Sequence, residues 1–326
     1  MKAQDHRIIE VNDLTKKFTT YKRIGIFKRE KSEKEVVKHI SFNVKKGEIV
    51  GFLGPNGAGK STTIKMLTGI LTPTSGDCLV NGFSPIKNRK QNAYNLGVVF
   101  GQRTQLWWDL SVWDNLCLLK EIYRLTNEGF EKRYEYLNEI LNLDEIKYSQ
   151  IRSLSLGQRM KADIAGALLH SPKILFLDEP TIGLDVVIKD KILKSLKKIN
   201  KDEGVTILLT THDMRDVEYL CNRAIIINYG EIIYDDSLEK LKEYYGNDKL
   251  IKLTLRNVEN IENTMETMKD LVKSYSIENN ILKLTIKKDI QIEKKVLSKV
   301  FQAIDIDEIR FEEVNIDKII KKIYEE

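Results

Sequence analysis

The sequence is poor in the residues that mark several protein classes. It has 18 glycines and 5 prolines among 326 residues, and hydrophobic residues make up 42%. This composition excludes collagen-like and disordered chains and favours a folded protein with a sizeable core. Its three cysteines, Cys78, Cys117 and Cys221, are far apart and show no CxxC spacing. The sequence therefore indicates neither a disulfide framework nor a structural zinc site, and we expect a reducing, cytosolic environment.

Long apolar runs are also absent. The first residues, MKAQDHRIIEVNDLTKK, are too polar for a signal peptide, and no apolar stretch approaches the roughly 20 residues needed to cross a bilayer. Work at a membrane would therefore require another chain as the anchor.

Neither sign of charge dominates the chain. Lys and Arg total 53 against 48 Asp and Glu, a formal net charge of +5, and nine basic and three acidic residues fall between Thr15 and Lys38. Nucleic-acid-binding domains usually spread positive charge over a broad face, so we expect no nucleic-acid partner. We interpret the basic segment 21–34 as an exposed, solvated loop. Contact with anionic lipid or with an acidic loop of a partner is the alternative.

Short apolar runs bounded by turn residues recur through the first two thirds of the chain. They are EIVGFLG (48–54), LGVVF (96–100), KILFLD (173–178), TILLTT (206–211) and AIIIN (224–228). Such runs, separated by helix-length segments, predict buried strands of a mostly parallel sheet, and hence an α/β fold. Residues 8–18 predict a further short strand.

A helical insertion interrupts this pattern. Within 110–169 no segment has the character of a strand, whereas 115–124 and 130–143 show the periodicity of helices. We therefore predict one α/β domain over 1–245, with a helical subdomain at about 103–170.

The remainder of the chain, 246–326, predicts a second, small domain. It follows a helix rich in lysine and tyrosine at 238–245. The pattern then alternates between strands and helices. Strands are predicted at 250–256, 281–287 and 306–311, and a helix at 260–272. This order predicts a βαββαβ, ferredoxin-like α+β domain. No motif identifies its role, so a dimerisation module and a regulatory module both remain open.

A glycine-rich segment follows the first of the apolar runs. It comprises Gly54, Pro55, Asn56, Gly57, Ala58, Gly59, Lys60, Ser61 and Thr62. A helical pattern over 62–71 comes next, and a strand before with a helix after is the context of a phosphate-binding loop. The glycines let backbone N–H groups turn around the β- and γ-phosphates, Lys60 adds a positive charge, and the Ser61 hydroxyl can bind Mg²⁺.

Polar residues follow two other apolar runs directly. Asp178 and Glu179 end the run KILFL, and His212 ends the run TILLTT. Buried parallel strands deliver such residues to the carboxyl edge of the sheet, where ligands bind. Asp178 is there placed to bind Mg²⁺ through water, Glu179 to orient or deprotonate the attacking water, and His212 to contact the γ-phosphate.

Together these motifs resemble those of the ATP-binding cassette (ABC) transporter ATPases, over roughly residues 8–237. GPNGAGKST is similar to the family's Walker A motif, LFLDEP to its Walker B motif, and the following GLD, which ends at Asp185, to its D-loop. The segment LSLGQ (154–158) is similar to the family signature, usually LSGGQ, with Leu156 in place of the first glycine. The resemblance implies a P-loop NTPase fold that binds and hydrolyses ATP with Mg²⁺.

The resemblance also implies roles for single residues. Gln102 stands where the family's Q-loop glutamine reaches Mg²⁺ and relays to the membrane subunit, and His212 matches the switch histidine. Asp185 matches the aspartate of the family's D-loop, and the resemblance therefore implies that it is a nucleotide-binding residue. Phe18 stands near the position of an aromatic residue that stacks on adenine. Tyr21 is a rival for that position, and either could be ordinary packing.

The signature motif implies a pair of chains. Ser155 and the backbone at Gly157 precede a helix predicted over 158–169, whose N-terminus is suited to an anion. In the family two copies pack head to tail, so that the signature, here with Ser155, Gly157 and Gln158, caps the γ-phosphate held by the other copy. That copy could be identical or a related ATPase. Since Glu179 is present, we expect both sites of a homodimer to hydrolyse ATP.

All three tryptophans, Trp107, Trp108 and Trp113, lie just after Gln102, where the family places the border of its helical subdomain. We expect at least one of them to fill the core of that subdomain. Part of the segment 101–110 is alternatively a wall of the groove into which a short cytoplasmic helix of the membrane subunit docks.

The sequences of these motifs resemble those of a prokaryotic subgroup of exporter ATPases whose permeases are separate chains. It implies a peripheral ATPase subunit at the cytoplasmic face of the membrane, which drives export through a permease that sets the substrate. Two alternatives come from other classes of protein: a soluble ABC-type ATPase that acts on ribosomes or nucleic acid, and a nucleotide sensor that does not hydrolyse ATP.

Overall fold

Two units make up the structure. The computed structural model describes residues 7–24, 28–101, 103–245, 248–256, 261–313, 319–320 and 323. The chain divides into Met1–Asp236 and Ser237–Glu326, and each unit has a hydrophobic core of its own. The helix expected to close the first domain, at 238–245, therefore falls in the second unit.

Strands and helices alternate along the first unit. Its strands are β1 (Arg7–Ile24), β2 (Lys28–Lys45), β3 (Ile49–Leu53), β4 (Ser75–Val80), β5 (Leu96–Phe100), β6 (Ile174–Asp178), β7 (Thr206–Thr210), β8 (Arg223–Asn228) and β9 (Glu231–Ser237). Its helices are α1 (Lys60–Leu67), α2 (Arg89–Ala93), α3 (Val112–Tyr123), α4 (Asn127–Leu141), α5 (Leu156–Leu168), α6 (Val186–Glu203) and α7 (Met214–Leu220), with a 3₁₀ turn at Ile151–Ser153.

A mostly parallel sheet forms the centre of this unit, and its described strands follow the order β5-β6-β7-β3-β8-β9. β3 is parallel to β7 and β8, and β6 is parallel to β5 and β7. The predicted apolar runs thus lie side by side, which confirms the expected sheet. β3 and β7 are buried along their whole length, as is usual for parallel strands covered on both faces. The carboxyl ends of the parallel strands meet at one edge.

A second, antiparallel sheet has the order β2-β1-β4. The expectation of an irregular loop at 21–34 is wrong, because β1 and β2 pair from Lys17 opposite Glu35 outward along most of that segment. Strand pairing satisfies the backbone N–H and C=O groups whatever side chains the strands carry, and Thr and Tyr, as at 19–21, favour strands. Residues 25–27 lie outside the described part of the chain.

α3, α4 and α5 form the helical insertion between β5 and β6, as expected. The side chains of Ser111 and Thr126 cap the N-termini of α3 and α4. The apolar face of α4 recurs at helical spacing, with the buried residues Phe130, Tyr134, Leu137 and Leu141. α5 packs so closely on β5 that a Cβ atom at Gly97 would lie 2.4 Å from the carbonyl oxygen of Ala167.

The second unit has the predicted βαββαβ order after an initial helix. Its elements are α8 (Leu238–Tyr245), β10 (Asp248–Leu255), α9 (Ile261–Glu266), β11 (Val272–Glu278), β12 (Ile281–Lys287), α10 (Ile290–Ala303) and β13 (Ile306–Glu313). The antiparallel strand order β11-β12-β10-β13 confirms the ferredoxin-like prediction. The helix expected at 260–272 is shorter, since Val272 already begins β11. Among the helices described, none has the length and apolar character to cross a membrane.

Candidate functional site

The glycine-rich loop between β3 and α1 has a backbone that only glycine adopts with ease. Gly57 and Gly59 have φ values of +83° and +114°, a range that residues with a Cβ atom rarely adopt. A Cβ atom at Gly54 would lie 2.3 Å from the carbonyl oxygen of Ile227 in β8. The loop therefore has the open turn and the close packing that a phosphate cradle requires.

Lys60 is a cation held inside this loop. Its side chain is only 7% exposed, and its Nζ atom donates to the carbonyl oxygens of Gly54 at 2.6 Å and Pro55 at 3.1 Å. Burial lowers the pKa of Lys60, and the charges of Glu179 and Asp178 oppose that shift. Gly59 provides no capping side chain for α1, so the first N–H groups of the helix and the Lys60 charge can both serve a phosphate.

Asp178 links the loop to the carboxyl edge of the sheet. Its Oδ1 atom accepts hydrogen bonds from Ser61 Oγ at 3.2 Å and from Thr210 Oγ1, at the end of β7, at 2.6 Å. A hydroxyl beside a carboxylate suits Mg²⁺. In the described part of the chain no group of three or more His, Cys, Asp and Glu could hold a metal. The residues thus fit a magnesium ion that takes its other ligands from phosphate and water.

Glu179 and His212 meet at the same edge. The Nδ1 atom of His212 lies 2.8 Å from Oε2 of Glu179, and Glu179 has a left-handed φ of +55°. The Glu179 backbone N–H donates to the carbonyl and hydroxyl oxygens of Thr210 at 3.0 and 3.1 Å. A Cβ atom at Gly101 would lie 1.9 Å from the Glu179 carbonyl oxygen. The turn after β6 is therefore fixed by β5 and β7 on its two sides.

Ion pairs and hydrogen bonds around a buried carboxylate stabilise the loops at this edge of the sheet. Asp216 in α7 is completely buried and accepts a hydrogen bond from Thr181 Oγ1 at 2.5 Å. Lys189 of α6 pairs with Asp216 at 2.7 Å and also with Asp213. These bonds join the segments that follow Glu179 and His212. Sequence reasoning missed this network, because its members are far apart along the chain.

Gln102 lies outside the described residues, so its proposed roles at Mg²⁺ and toward a permease stay predictions. The backbone on its two sides is described: Gly101 N donates to the carbonyl oxygen of Asp178 at 2.8 Å, and Arg103 N donates to that of Phe100 at 3.1 Å. The segment that carries Gln102 thus starts beside the Walker B strand β6.

Ser155 and Gln158 form a capping box at the start of the signature helix, α5. Ser155 Oγ accepts from Gln158 N at 3.3 Å, and Gln158 Oε1 accepts from Ser155 N at 3.0 Å. Gly157 has a packing reason as well, because a Cβ atom there would lie 2.5 Å from Ile188 Cγ2 of α6. The helix begins at Leu156, slightly before the predicted start.

Asp185 lies at the N-terminus of α6, where its carboxylate accepts from Val187 N and Ile188 N at 3.0 Å each. The structure thus places Asp185 as a helix cap. Its nucleotide contact stays a prediction.

Phe18 projects from the hairpin that passes the phosphate loop. Its ring is 38% exposed, and Lys16 Nζ lies 5.3 Å from the ring centroid. Val36, on the paired strand β2, has its carbonyl oxygen 2.8 Å from where a Cβ atom of Gly59 would be. An exposed ring on this hairpin is compatible with stacking on a base. The side chain of its rival, Tyr21, lies outside the described set.

The tryptophans divide between packed and exposed positions. Trp113 is half-buried and packs edge to face on the buried rings of Phe130 and Tyr134, with ring centroids 5.4 and 5.0 Å away, so it covers the core of the helical subdomain from its edge and does not fill it. Trp107 and Trp108 are 46% and 52% exposed.

The comparisons with known proteins agree with this geometry. Residues 37–182 match the ABC transporter family. The chain is 37% identical over 231 residues to the linearmycin resistance ATP-binding protein LnrL of Bacillus subtilis, a match that covers 71% of this chain and 74% of LnrL.

Solved structures also resemble the chain. One is cbiO1 of Clostridium perfringens, part of the ABC transporter complex cbiONQ, with 29% identity, a TM-score of 0.61, and coverage of 73% of this chain and 91% of cbiO1. Another is the ATP-binding cassette MJ0796, a dimer in a post-hydrolysis state bound to ADP and Pi, with 28% identity, a TM-score of 0.60, and coverage of 71% and 98%. The agreement between these relatives and the geometry of the sheet edge shows that the chain belongs to the family of ABC transporter ATP-binding proteins.

Proposed function

We propose that this chain hydrolyses ATP as the ATP-binding subunit of an ABC exporter, at the cytoplasmic face of a membrane, and drives a separate permease. The observation that carries the proposal is the Glu179–His212 pair, whose carboxylate oxygen and ring nitrogen are 2.8 Å apart beside the phosphate loop. A carboxylate held in this way can orient and deprotonate a water molecule for attack on the γ-phosphate.

The groups around this pair would hold the nucleotide. The backbone N–H groups of 56, 57 and 59 and of the first turn of α1 bind the phosphates, and Lys60 neutralises part of their charge. Ser61 would hold Mg²⁺ through its hydroxyl and Asp178 through water, and the ion when bound polarises the phosphate oxygens. Phe18 stacks on the adenine, and Gln102 relays between the ion and the permease.

A second copy, identical or related, would complete each site. In this arrangement the start of α5, with Ser155 and Gly157, faces the γ-phosphate held by the other chain. The dimeric cassette MJ0796 with ADP and Pi supports the pairing. Leu156 is 39% exposed, and one of its methyl groups lies against its own chain, where a Cβ atom at Gly183 would be 3.1 Å from Leu156 Cδ2.

The permease would dock beside β5. A cavity of about 240 Å³ opens there, and its walls include Leu96, Val98, Leu106, Trp107, Leu119 and Tyr123. Trp107 and the adjacent Trp108 are about half exposed. An apolar cleft bordered by exposed tryptophans suits a short amphipathic helix, whose apolar side chains would fill the cleft.

A pull-down from native cells tests the transport function. The tagged Glu179→Gln variant is isolated in mild detergent with ATP and Mg²⁺, and an integral membrane protein is expected to co-purify. The same protein should be lost when Trp107 and Trp108 are both changed to Ala, and retained in Tyr229→Ala, which removes an exposed aromatic residue elsewhere. Recovery of ribosomes or nucleic acid, with no membrane protein, would contradict the proposal.

A further inference from the structure

α5 carries a buried carboxylate in the middle of its apolar face. Asp163 is 8% exposed, and its Oδ1 atom accepts hydrogen bonds from Thr104 Oγ1 at 2.6 Å and from Gln105 N at 3.2 Å. The Thr104 hydroxyl in turn accepts from Leu106 N at 3.2 Å. A buried carboxylate costs free energy unless it is hydrogen-bonded, and both of these bonds reach one loop segment. Asp163 therefore joins α5 to the start of residues 104–108, which we call the tryptophan segment.

The end of the tryptophan segment is joined to the same group of helices. Asn115 of α3 is fully buried and brackets Trp107: its Oδ1 accepts from Trp107 N at 2.7 Å, and its Nδ2 donates to Trp107 O at 3.1 Å. The guanidinium of Arg159, on α5, lies 4.8 Å from the centroid of the Trp108 ring. The tryptophan segment thus contacts α5 at both of its ends, and α3 binds it at Trp107.

The link from this segment to the central sheet is of a different kind. The side-chain Nε2 atom of Gln105 donates to the Val98 carbonyl oxygen of β5 at 2.9 Å, and Arg103 N, directly before the segment, donates to Phe100 O of β5 at 3.1 Å. The cavity described above is lined by Leu106 and Asp163 as well as by Val98 and Phe100. A flexible amide side chain can follow a small displacement. The bonds to the Asp163 carboxylate, of which the one from Thr104 is short at 2.6 Å, are charge-assisted and therefore stronger. Because α5 packs on β5 near its C-terminal end, at Ala167, the segment should consequently follow a pivot of the Ser155 end of α5 more closely than it follows β5.

We propose that Asp163 is a positioning residue that fixes the tryptophan segment to the signature helix, so that a displacement of the Ser155 end of α5 is transmitted to Trp107 and Trp108. The inference rests on the proposed function, in that nucleotide held by a second copy is what displaces α5. Because α5 is one continuous helix from Leu156 to Leu168, Ser155 and Asp163 are parts of one rigid element.

The tryptophans provide a reporter for this movement. The chain has three, so the Trp113→Phe variant leaves emission from Trp107 and Trp108 alone. Quenching by acrylamide is measured in Trp113→Phe/Glu179→Gln protein, with and without ATP and Mg²⁺. We expect ATP to change the quenching constant in this parent and in its Asp163→Asn derivative, since one amide oxygen can accept both bonds. The change should be lost in the Asp163→Ala derivative.

Matched variants separate positioning from general damage to the fold. Thr104→Val removes the bond from the loop side and leaves α5 intact, so it should also lose the ATP response, whereas Thr104→Ser should keep it. Without nucleotide, Asp163→Ala should already show stronger quenching than Asp163→Asn, because its segment is released from α5. Melting temperatures identify any variant that fails to fold, and the Thr104 pair then decides the outcome.

Two results would overturn the inference: an ATP response in Asp163→Ala or Thr104→Val equal to that of the parent, or a parent that dimerises with ATP without any change in tryptophan quenching. Dimerisation and phosphate release, measured on the same proteins, report on the proposed function separately. If the parent failed to dimerise, the proposed function would fall; equal quenching of Asp163→Ala and Asp163→Asn without nucleotide would still reject the positioning role by itself.

Discussion

At the residue scale, the carboxyl edge of the sheet separates the groups that bind from the group that would activate water. Lys60 and Ser61 belong to the phosphate loop, whereas Glu179 stands apart from them and contacts His212 at 2.8 Å. Substitutions should therefore divide binding from hydrolysis. This division follows from which element carries each side chain.

Glu179→Gln should retain ATP binding and lose hydrolysis, because an amide cannot accept the proton of the attacking water. General bases contribute about 10²–10⁴-fold to rates, and we expect a fall in kcat of that order in a phosphate-release assay. Equilibrium titration with ATP checks that binding is kept. Lys60→Ala is the matched control, expected to lose binding itself. Hydrolysis within tenfold of the original rate would show that Glu179 is not the base.

His170 gives the protein a pH-dependent stability. Its ring stacks on Tyr123 at 3.8 Å between centroids, and its Nε2 atom donates to Leu96 O at 3.0 Å. Burial lowers the pKa of His170 to about 4; the Arg133 charge lowers it further and the Leu96 bond opposes the shift. Below the unfolded pKa of about 6.5 the unfolded chain binds a proton that the folded chain does not, so stability falls as the pH falls toward 4.

The loss attributable to His170 between pH 7.5 and pH 5 should be about 2 kcal/mol. Urea unfolding of the original chain and of His170→Gln, which can still donate to Leu96 O, measures it at both pH values. The loss of stability between the two pH values should be smaller in the variant than in the original chain by about that amount. Equal losses in the two proteins would mean that His170 is not held neutral by the fold.

At the element scale, the signature helix is defined by contacts at both its start and its middle. Gly157 lets α5 approach Ile188 of α6, where a Cβ atom would lie 2.5 Å from Ile188 Cγ2. Ile188 is β-branched, and its Cγ2 atom cannot move without rotation of the whole side chain. The distance between α5 and α6 therefore depends on Gly157 having no side-chain methyl group.

Gly157→Ala should destabilise the protein by about 1–3 kcal/mol, the usual cost of overpacking. The double variant Gly157→Ala/Ile188→Ala should recover part of this loss relative to Ile188→Ala alone. Chemical denaturation of the four proteins gives the coupling free energy. Additive effects would contradict the packing that we describe.

Elements with a strong local pattern could be predicted from the sequence, and others could not. β3, β6 and β7 are continuous apolar runs, and the phosphate loop and Asp178 follow from their ends. The hairpin of β1 and β2 was missed because its charged residues indicate exposure, while its pairing depends on a partner strand. Thr210 and Asp163 were missed for a related reason: each is one polar residue in an apolar element, and its role depends on side chains distant in sequence.

At the scale of the whole molecule, the first unit carries every described group of the candidate site. The cassette MJ0796 is matched over 98% of its length by 71% of this chain, so the chain contains residues beyond those that match this cassette. We propose that each active site is composite, with the phosphate loop of one chain and the signature of another.

Complementation between two inactive variants tests this composite site. Lys60→Ala disables the phosphate loop and Ser155→Arg blocks the signature, so each homodimer should be inactive. In a mixed dimer one site combines the intact phosphate loop of one chain with the intact signature of the other. Phosphate release from an equimolar mixture should rise toward about a quarter of the original rate, since half of randomly paired dimers are mixed and each has one intact site. A mixture that forms mixed dimers and hydrolyses no faster than its parents would contradict the account.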